Sequence, residues 1–277
     1  MAKSQKTIMT ANTFQKYIVG IFVLLIYVPS FLWMWDRWFA RDSYYSHGIL
    51  IPFVCAYLIW QKSSILKKIK PETSPWGLRL FFLGIGIHLL SALFRVYFTS
   101  GFSMIIVLFG LTLHFYGSKT LREVLFPISF LVFMVPLPMV VIANLSFRLK
   151  MFATQIAVVA LNNMHLFCIQ HGSTIIMHHA YVVVEDVCSG LRSLITLMAL
   201  GSLFAYWMKA SVPKRAILFL STIPIAVITN VMRIIFLASI SEIWGVQYAS
   251  GPIHEASGFI VFFGAFCLLY VVQKMIE

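Results

Sequence analysis

Glu185-Asp-Val-Cys-Ser-Gly-Leu-Arg-Ser193 carries the chain from a polar stretch into an apolar run that continues to Trp207. Runs of this kind recur along the chain, which is 60% hydrophobic and only 11% charged. A soluble core cannot bury so much apolar surface, and the composition therefore predicts a polytopic protein embedded in the lipid bilayer. Because the polar breaks between the runs are short, we predict a single integral membrane domain over residues 1–277.

The apolar runs predict the number of membrane crossings. Each crossing requires about 20 mostly apolar residues. We therefore predict an all-α polytopic protein with about eight transmembrane helices. The eight runs are residues 17–35, 48–60, 76–98, 102–116, 124–143, 191–207, 216–235 and 257–272.

The net charge of +12 predicts an orientation in the membrane. The Lys and Arg residues lie in short loops between apolar runs and not on one amphipathic face, so we do not predict a nucleic-acid partner. The positive-inside rule places the basic clusters at residues 62–79, 119–122, 209–215 and 274 on the cytoplasmic side. This predicts a multi-pass protein of the cell (inner) membrane with both termini in the cytoplasm and residues 144–187 outside.

The outer interval is predicted to contain two kinds of structure. Apolar residues recur at helical spacing after Asn144, which indicates a helix lying in the membrane interface. Residues 173–178 and 180–185 are rich in β-branched residues and predict a small β-hairpin. A ninth crossing in this interval is the competing interpretation, and it would move Cys188 to the cytoplasmic face.

Cys188, Arg233 and His254 are predicted to reach the same outer interface from three successive helices. A cysteine at a helix N-terminus beside a cation favours the thiolate, an arginine stabilises an oxyanion, and imidazole transfers protons near neutral pH. The alternatives are a packed interfacial cysteine, a snorkelling arginine and a solvated loop histidine. A Cys168–Cys188 disulfide is a further alternative that would block the thiol.

Four segments resemble the exosortase/archaeosortase family over roughly residues 44–270. They are Glu185-Asp-Val-Cys-Ser-Gly-Leu-Arg-Ser193, Asn230-Val-Met-Arg-Ile234, His254-Glu-Ala-Ser-Gly258 and Ser46-His-Gly-Ile-Leu-Ile-Pro52. The resemblance implies a sortase-like cysteine peptidase and transpeptidase. Its substrates would be exported proteins with a C-terminal signal made of a short motif such as Pro-Glu-Pro, a transmembrane helix and a basic cluster.

The resemblance also implies roles for individual residues. Cys188 would be the nucleophile that forms a thioester, Arg233 the oxyanion stabiliser and His254 the general acid and base. Arg192, Glu185 and Asn230 are the candidate substrate-binding residues, although Arg192 is also placed to pair with Glu185 or Asp186. No metal or organic cofactor is expected, because the histidines near Glu185 lack the helical H-E-x-x-H spacing of a metalloprotease.

A polytopic transporter, or a scaffold for surface polysaccharide or protein export, is the alternative function. Intramembrane Arg, Asn and His residues also line transport pathways. The chain lacks paired carboxylates within its helices and an evident inverted repeat, which are features of many transporters. In a scaffold the thiol would be dispensable.

Overall fold

The computed structural model describes residues 2–41, 43–185, 188–249 and 251–277, with side chains described from residue 14 onward except at position 252. The chain divides into two compact units, Met1–Pro136 and Leu137–Glu277. Each unit has its own helices and its own buried core.

The first unit is helical throughout its regular structure. A short 3-10 helix, Ser46–Leu50, precedes α3, and another, Leu131–Met134, follows α6. The helices are α1 (Ala2–Ile26), α2 (Val28–Trp38), α3 (Ile51–Gln61), α4 (Ser63–Leu66), α5 (Pro75–Leu93) and α6 (Tyr97–Phe130).

Glycines bring α5 and α6 into close contact. A Cβ added to Gly77 would lie 2.3 Å from the backbone nitrogen of His114, and one added to Gly110 would lie 2.5 Å from the backbone nitrogen of Phe81. Small residues at such positions let helix backbones approach closely. Because lipid tails are as apolar as the helix surfaces, no hydrophobic force drives the helices together, and close van der Waals packing holds them instead. Gly77 and Gly110 therefore set the distance between the two helices.

Buried polar side chains join the helices of the first unit. The Tyr27 hydroxyl lies 2.8 Å from Ser103 Oγ, and His88 Nδ1 lies 2.8 Å from Ser100 Oγ. Ser30 Oγ also contacts Ser100 Oγ at 2.5 Å. These bonds satisfy polar groups that would be costly to leave unpaired in an apolar environment.

The described part of the second unit contains four α-helices, of which α8 is shorter than the others, and a small sheet. The strands β1 (Ile169–His171), β2 (Thr174–Ile176) and β3 (Tyr181–Val183) form an antiparallel sheet in the order β1-β2-β3. A 3-10 helix, Val246–Tyr248, follows α9. The helices are α7 (Met139–Asn163), α8 (Leu191–Trp207), α9 (Val212–Trp244) and α10 (Pro252–Ile276).

The sheet packs on α7 and α9 through a common apolar core. Ile175 of the central strand is completely buried, and Val184 just after β3 is nearly so. Both belong to one buried cluster with Ala157 of α7 and with Val231 and Ala238 of α9. The sheet is therefore fixed to the two helices by apolar burial, and its third strand leads toward Cys188.

The number of membrane crossings differs from the prediction. Within the described ranges, four helices are long and apolar enough to cross a membrane, and a pair bent by 53° adds a fifth if it forms one span. The prediction of about eight crossings is therefore not confirmed. The four are Pro75–Leu93, Tyr97–Met134, Val212–Trp244 and Ile253–Ile276, and the bent pair is Phe14–Ile26 with Val28–Trp38.

Two causes account for the difference. The apolar helices Ser46–Gln61 and Leu191–Trp207 are short, and 17 helical residues extend only about 26 Å, less than the roughly 30 Å of a hydrocarbon core. The predicted run 102–116 lies in the part of α6 that precedes Gly117, where the backbone is not helical (φ +84°, ψ 178°) and α6 is kinked. The predicted run 124–143 is divided between α6 and α7, because Pro136 and Pro138 stand at the break and proline does not continue a helix.

The predicted hairpin is present as the antiparallel pair β2 and β3, and the structure adds one strand to it. The sheet has a third strand, β1, which pairs with β2 through the register Gln170 with Ile175. The side chain of Asn162 holds the start of this strand, because its amide bonds both the N–H and the C=O of Cys168. Cys168 and Cys188 are both free thiols, so no disulfide joins them.

We predict that Gly110→Ala destabilises the first unit, because the added methyl group would collide with the backbone of α5. Overpacking of this kind costs on the order of 1–3 kcal/mol. The measurement is the melting temperature of the purified protein in detergent. Gly86→Ala on α5 is the matched control, since a Cβ there meets nothing within 4 Å; equal melting temperatures for the two variants would contradict this packing.

Candidate active site

Cys188 lies in a short turn between β3 and α8. Its backbone N–H donates to the C=O of Glu185 at 2.9 Å, and its own C=O accepts from Asn230 Nδ2 at 2.9 Å. Gly190, the N-cap residue immediately before α8, has a φ of +79°, and a Cβ on it would lie 2.9 Å from the Asn230 side chain. A residue with a Cβ would be strained at this φ and would clash with Asn230, so position 190 requires glycine. The contacts of Cys188 and Gly190 with Asn230 therefore fix the position of the thiol.

His254 contacts the thiol. Its Nε2 atom lies 2.8 Å from Cys188 Sγ, although the two residues are 66 positions apart in the chain. His254 lies in the first turn of α10, which begins after Gly251 at a φ of +63°. The sequence placed His254 in a loop before the last helix, whereas the structure places it within that helix.

Arg233 holds the first turn of α10. Its Nε donates to Ser257 Oγ at 3.0 Å, and its Nη2 donates to the C=O of His254 at 2.9 Å. Ser257 Oγ donates to the same C=O at 2.7 Å. The sequence placed Arg233 near a helix end, but α9 continues to Trp244, so the guanidinium acts from within a helix.

Burial raises the pKa of the Cys188 thiol above its ordinary value. The positive charge of Arg233 opposes this effect, whereas the negative charge of Glu185 adds to it. The sequence led us to expect a stabilised thiolate, but Cys188 precedes the first residue of α8 and is only 5% exposed. Burial therefore favours the neutral form of the Cys188 thiol, and His254 Nε2 lies within hydrogen-bond reach of its proton.

A cavity of about 380 Å³ adjoins the thiol and the imidazole. Its walls are β3 with the residues that follow it, one face of α9, and the segment between α9 and α10. Most of the lining is apolar. The lining residues are Tyr181, Val182, Val183, Val184, Glu185, Cys188, Ile234, Leu237, Ser241, Val246, Ala249, Gly251 and His254.

The three candidate substrate-binding residues lie in different surroundings. Glu185 is exposed and lines the cavity. Asn230 is buried and its side-chain amide bonds the backbone of Cys188, so it positions the thiol. Arg192 does not line the cavity, and its buried Nε has no partner among the described residues. Asp186, considered as a partner of Arg192, lies outside those residues.

Two serines near the site were not singled out from the sequence. Ser257 follows His254 by three residues, and this spacing on a helix places both on one face. Ser241 lines the cavity two turns beyond Ile234 on α9. The helical spacing from His254 was a usable signal for Ser257, whereas Ser241 lay beyond the predicted end of its helix.

We predict that alkylation of Cys188 accelerates about tenfold per pH unit between pH 6.5 and 9, because the neutral thiol predominates below its raised pKa. The measurement uses iodoacetamide and the Cys55→Ser, Cys168→Ser, Cys267→Ser variant. A rate that has already reached its plateau at pH 6.5 would show a preformed thiolate and contradict this assignment.

The same titration tests the charge of Arg233. Arg233→Gln removes the favourable charge and should move the rate profile to higher pH. Ser257→Ala is the matched control, because it removes a hydrogen-bond partner of Arg233 and keeps the cation. A profile that Arg233→Gln leaves unchanged would show that the charge does not act on the thiol.

Comparison with known proteins agrees with the resemblance found in the sequence. The family model described as Transmembrane exosortase (Exosortase_EpsH) matches residues 33–271, which include Cys188, Arg233 and His254. Comparisons with curated proteins and with solved structures gave no match. The matched residues cover most of the 277-residue chain. The chain therefore belongs to the transmembrane exosortase family.

Proposed function

We propose that this protein is a membrane cysteine transpeptidase or protease that cleaves the C-terminal sorting signals of exported proteins. The observation that carries the proposal is the 2.8 Å contact between Cys188 Sγ and His254 Nε2 at the wall of a cavity. A nucleophile and a base within hydrogen-bond reach are the requirement for covalent acyl transfer. Membership of the exosortase family supports the same class of reaction.

In the first step His254 Nε2 accepts the thiol proton while Cys188 Sγ attacks the scissile carbonyl carbon. A sulfur–carbon bond forms, and the π electrons of the carbonyl move to its oxygen. When the tetrahedral intermediate collapses, the carbon–nitrogen bond breaks and His254 returns the proton to the leaving amine. The substrate remains as a thioester on Cys188.

In the second step an acceptor amine, hydroxyl or water attacks the thioester. His254 removes a proton from this acceptor, and the sulfur departs and takes the proton back. An amine or hydroxyl acceptor gives transpeptidation or acyl transfer, and water gives hydrolysis. The reaction uses only side chains of the protein, and it requires no organic cofactor.

Arg233 is the proposed oxyanion stabiliser. Its guanidinium has five N–H donors, and Ser257 and His254 use two of them. The other donors make no hydrogen bond to any residue in the described part of the chain. Arg233 does not itself line the cavity, but its positive charge acts on the Cys188 thiol. Because two bonds already fix the cation, it would favour the developing negative charge without reorganisation.

We propose that the substrates carry the three-part signal characteristic of the family, namely a short motif, a transmembrane helix and a basic cluster. The helix of the signal would remain in the bilayer beside the enzyme, and the short motif would enter the cavity next to Cys188. Exported proteins present this motif on the extracytoplasmic side. We therefore place the site on that face of the cell membrane, with both termini in the cytoplasm.

We predict that Cys188→Ala abolishes shortening of a co-expressed substrate protein, because no other cysteine in the described part of the chain lines the cavity. The measurement is the mass of the substrate, with the amount of folded enzyme in the membrane checked in parallel. Cys168→Ala is the matched control, since Cys168 is also a buried free cysteine of the second unit. Normal shortening by the Cys188→Ala variant would exclude a cysteine enzyme and favour a scaffold or transporter.

We predict that the sheet is reached from outside the cell and the C-terminus from inside. In a variant that lacks the four native cysteines, Ile169→Cys should react with an impermeant maleimide in spheroplasts, whereas Met275→Cys should react only after permeabilisation. Both side chains are well exposed, at 66% and 81%. The reverse pattern would place the site on the cytoplasmic face and overturn the proposal of extracytoplasmic sorting.

A further inference from the structure

Strand β3 is one of the two edge strands of the sheet. Val182 pairs with Ile175 of β2. One hydrogen bond lies on each side of this pair. The Met177 N–H donates to the C=O of Ala180, and the Val184 N–H donates to the C=O of Ser173. Backbone groups in a strand alternate in direction. The even-numbered residues of β3 and its flanks therefore bond β2.

It follows that the N–H and C=O groups of Tyr181 and Val183 point away from β2. Among the described residues, no backbone group of another element bonds them. Proteins usually protect such an edge with lysine, proline or a covering element, because it is a template for pairing with another chain. The side chains at these two positions are an exposed Tyr and an exposed Val, so the strand carries none of the usual blocking residues.

The exposed edge borders the cavity of the proposed active site. Residues 181–185 form one wall, and Ile234 and Leu237 of α9 lie in another. Cys188 and His254 belong to the same lining. A volume of about 380 Å³ lies within the range of ligand pockets and accommodates a short extended segment of polypeptide.

Ser241 provides a second, independent indication of a ligand. Its side chain is only 1% exposed, it lines the cavity, and its hydroxyl has no hydrogen-bond partner in the described ranges. A buried hydroxyl without a hydrogen-bond partner destabilises the protein, because the free energy lost when the group leaves water is not recovered. A polar group of a bound molecule would remove that cost.

We propose that the substrate binds as an added strand on the free edge of β3. The backbone of the extended segment next to the scissile bond pairs with Tyr181 and Val183, and the Ser241 hydroxyl bonds a polar group of the same segment. This proposal deepens the function proposed for Cys188 and rests on it. Strand addition recognises the peptide main chain, and alternate side chains then enter the apolar lining formed by Ile234 and Leu237.

The mode of binding has a consequence for specificity. Main-chain pairing holds any extended sequence, whereas the alternating side chains discriminate among sequences. Since residues 181–185 and Cys188 line the same cavity, pairing on β3 would also bring the scissile carbonyl to the thiol. The edge of β3 therefore acts as the positioning element for the substrate, and the Cys188–His254 pair performs the chemistry.

The test uses a defined probe, acetyl-Val-Ala-Val-Ala chloromethyl ketone, with chloroacetone as the small reference reagent. In both cases Cys188 Sγ forms a bond to the methylene carbon and chloride leaves. Alkylation is followed by mass spectrometry on the Cys55→Ser, Cys168→Ser, Cys267→Ser variant. We expect the peptide reagent to label Cys188 faster than chloroacetone, because strand pairing holds it at the thiol.

A scan of backbone N-methylation then tests the pairing itself. Methylation of alternate amide nitrogens in the peptide should slow labelling by about three- to tenfold each, since each removes one backbone hydrogen bond. Methylation of the intervening nitrogens should have little effect. A peptide reagent that labels no faster than chloroacetone, or a scan without alternation, would overturn strand addition.

Two variants of the protein complete the test. Val183→Pro removes one N–H from the free edge and leaves the bonds to β2 intact, so it should slow the peptide reagent and leave the chloroacetone rate unchanged. Val183→Ile keeps the N–H and is the matched control. Ser241→Ala should slow only the peptide reagent; a normal peptide rate in both Val183→Pro and Ser241→Ala would overturn the proposal.

These outcomes separate the proposed binding mode from the proposed function. Loss of strand pairing would leave Cys188 reactive toward chloroacetone, and Cys188→Ala would still abolish processing of a protein substrate. Failure of the cysteine chemistry would appear instead as normal processing by Cys188→Ala, whatever the behaviour of the peptide reagent.

Discussion

Two polar side chains of α9 hold the main chain on both sides of the thiol–imidazole contact. Asn230 bonds the C=O of Cys188, and Arg233, one turn later on the same face, bonds the C=O of His254. The Sγ to Nε2 distance of 2.8 Å depends on both backbone positions. A guanidinium within an apolar helix is costly unless its donors are satisfied, and the bonds to α10 offset that cost while they position the histidine.

Burial of the thiol has a consequence for reactivity. A cysteine with a raised pKa is largely neutral near physiological pH, and a neutral thiol reacts slowly with oxidants and alkylating agents. In the function we propose, the His254 imidazole takes the thiol proton when a substrate carbonyl carbon is in place for the sulfur. In the proposed mechanism the Cys188–His254 pair is unreactive until a substrate binds, and the positive charge of Arg233, which opposes the rise in the thiol pKa, favours the step that creates negative charge.

The turn that carries Cys188 connects the proposed recognition strand to the nucleophile. Val184 after β3 is buried in the same core as Val231 of α9, and Gly190 closes the turn against Asn230. Val184 and Gly190, on either side of Cys188 in the chain, are thus both held by packing on α9. Such rigid support is what a site needs if a bound carbonyl is to meet the sulfur within a few tenths of an ångström.

The amino-acid sequence by itself determined the membrane class, the family and the residue types of the site. Apolar runs and sparse charge report burial in lipid directly, and the motifs around Cys188, Arg233 and His254 stand in the sequence in order. The strand that became β3 was also visible, because β-branched residues dominate residues 180–185. Each of these features depends only on residues that are neighbours in the chain, so it can be recognised without knowing which segments pack together.

Only the tertiary structure decided where the helices end and which side chains meet. Hydropathy placed the end of α9 near Arg233, but the polar Ser241 and Glu242 that follow are compatible with a helix that packs on the sheet, and α9 continues to Trp244. Likewise, the motif around Asn230 suggested a contact with substrate, whereas packing directs its amide to the backbone of Cys188. Contacts between residues that are distant in the chain depend on the mutual packing of whole helices, and no local pattern records that packing.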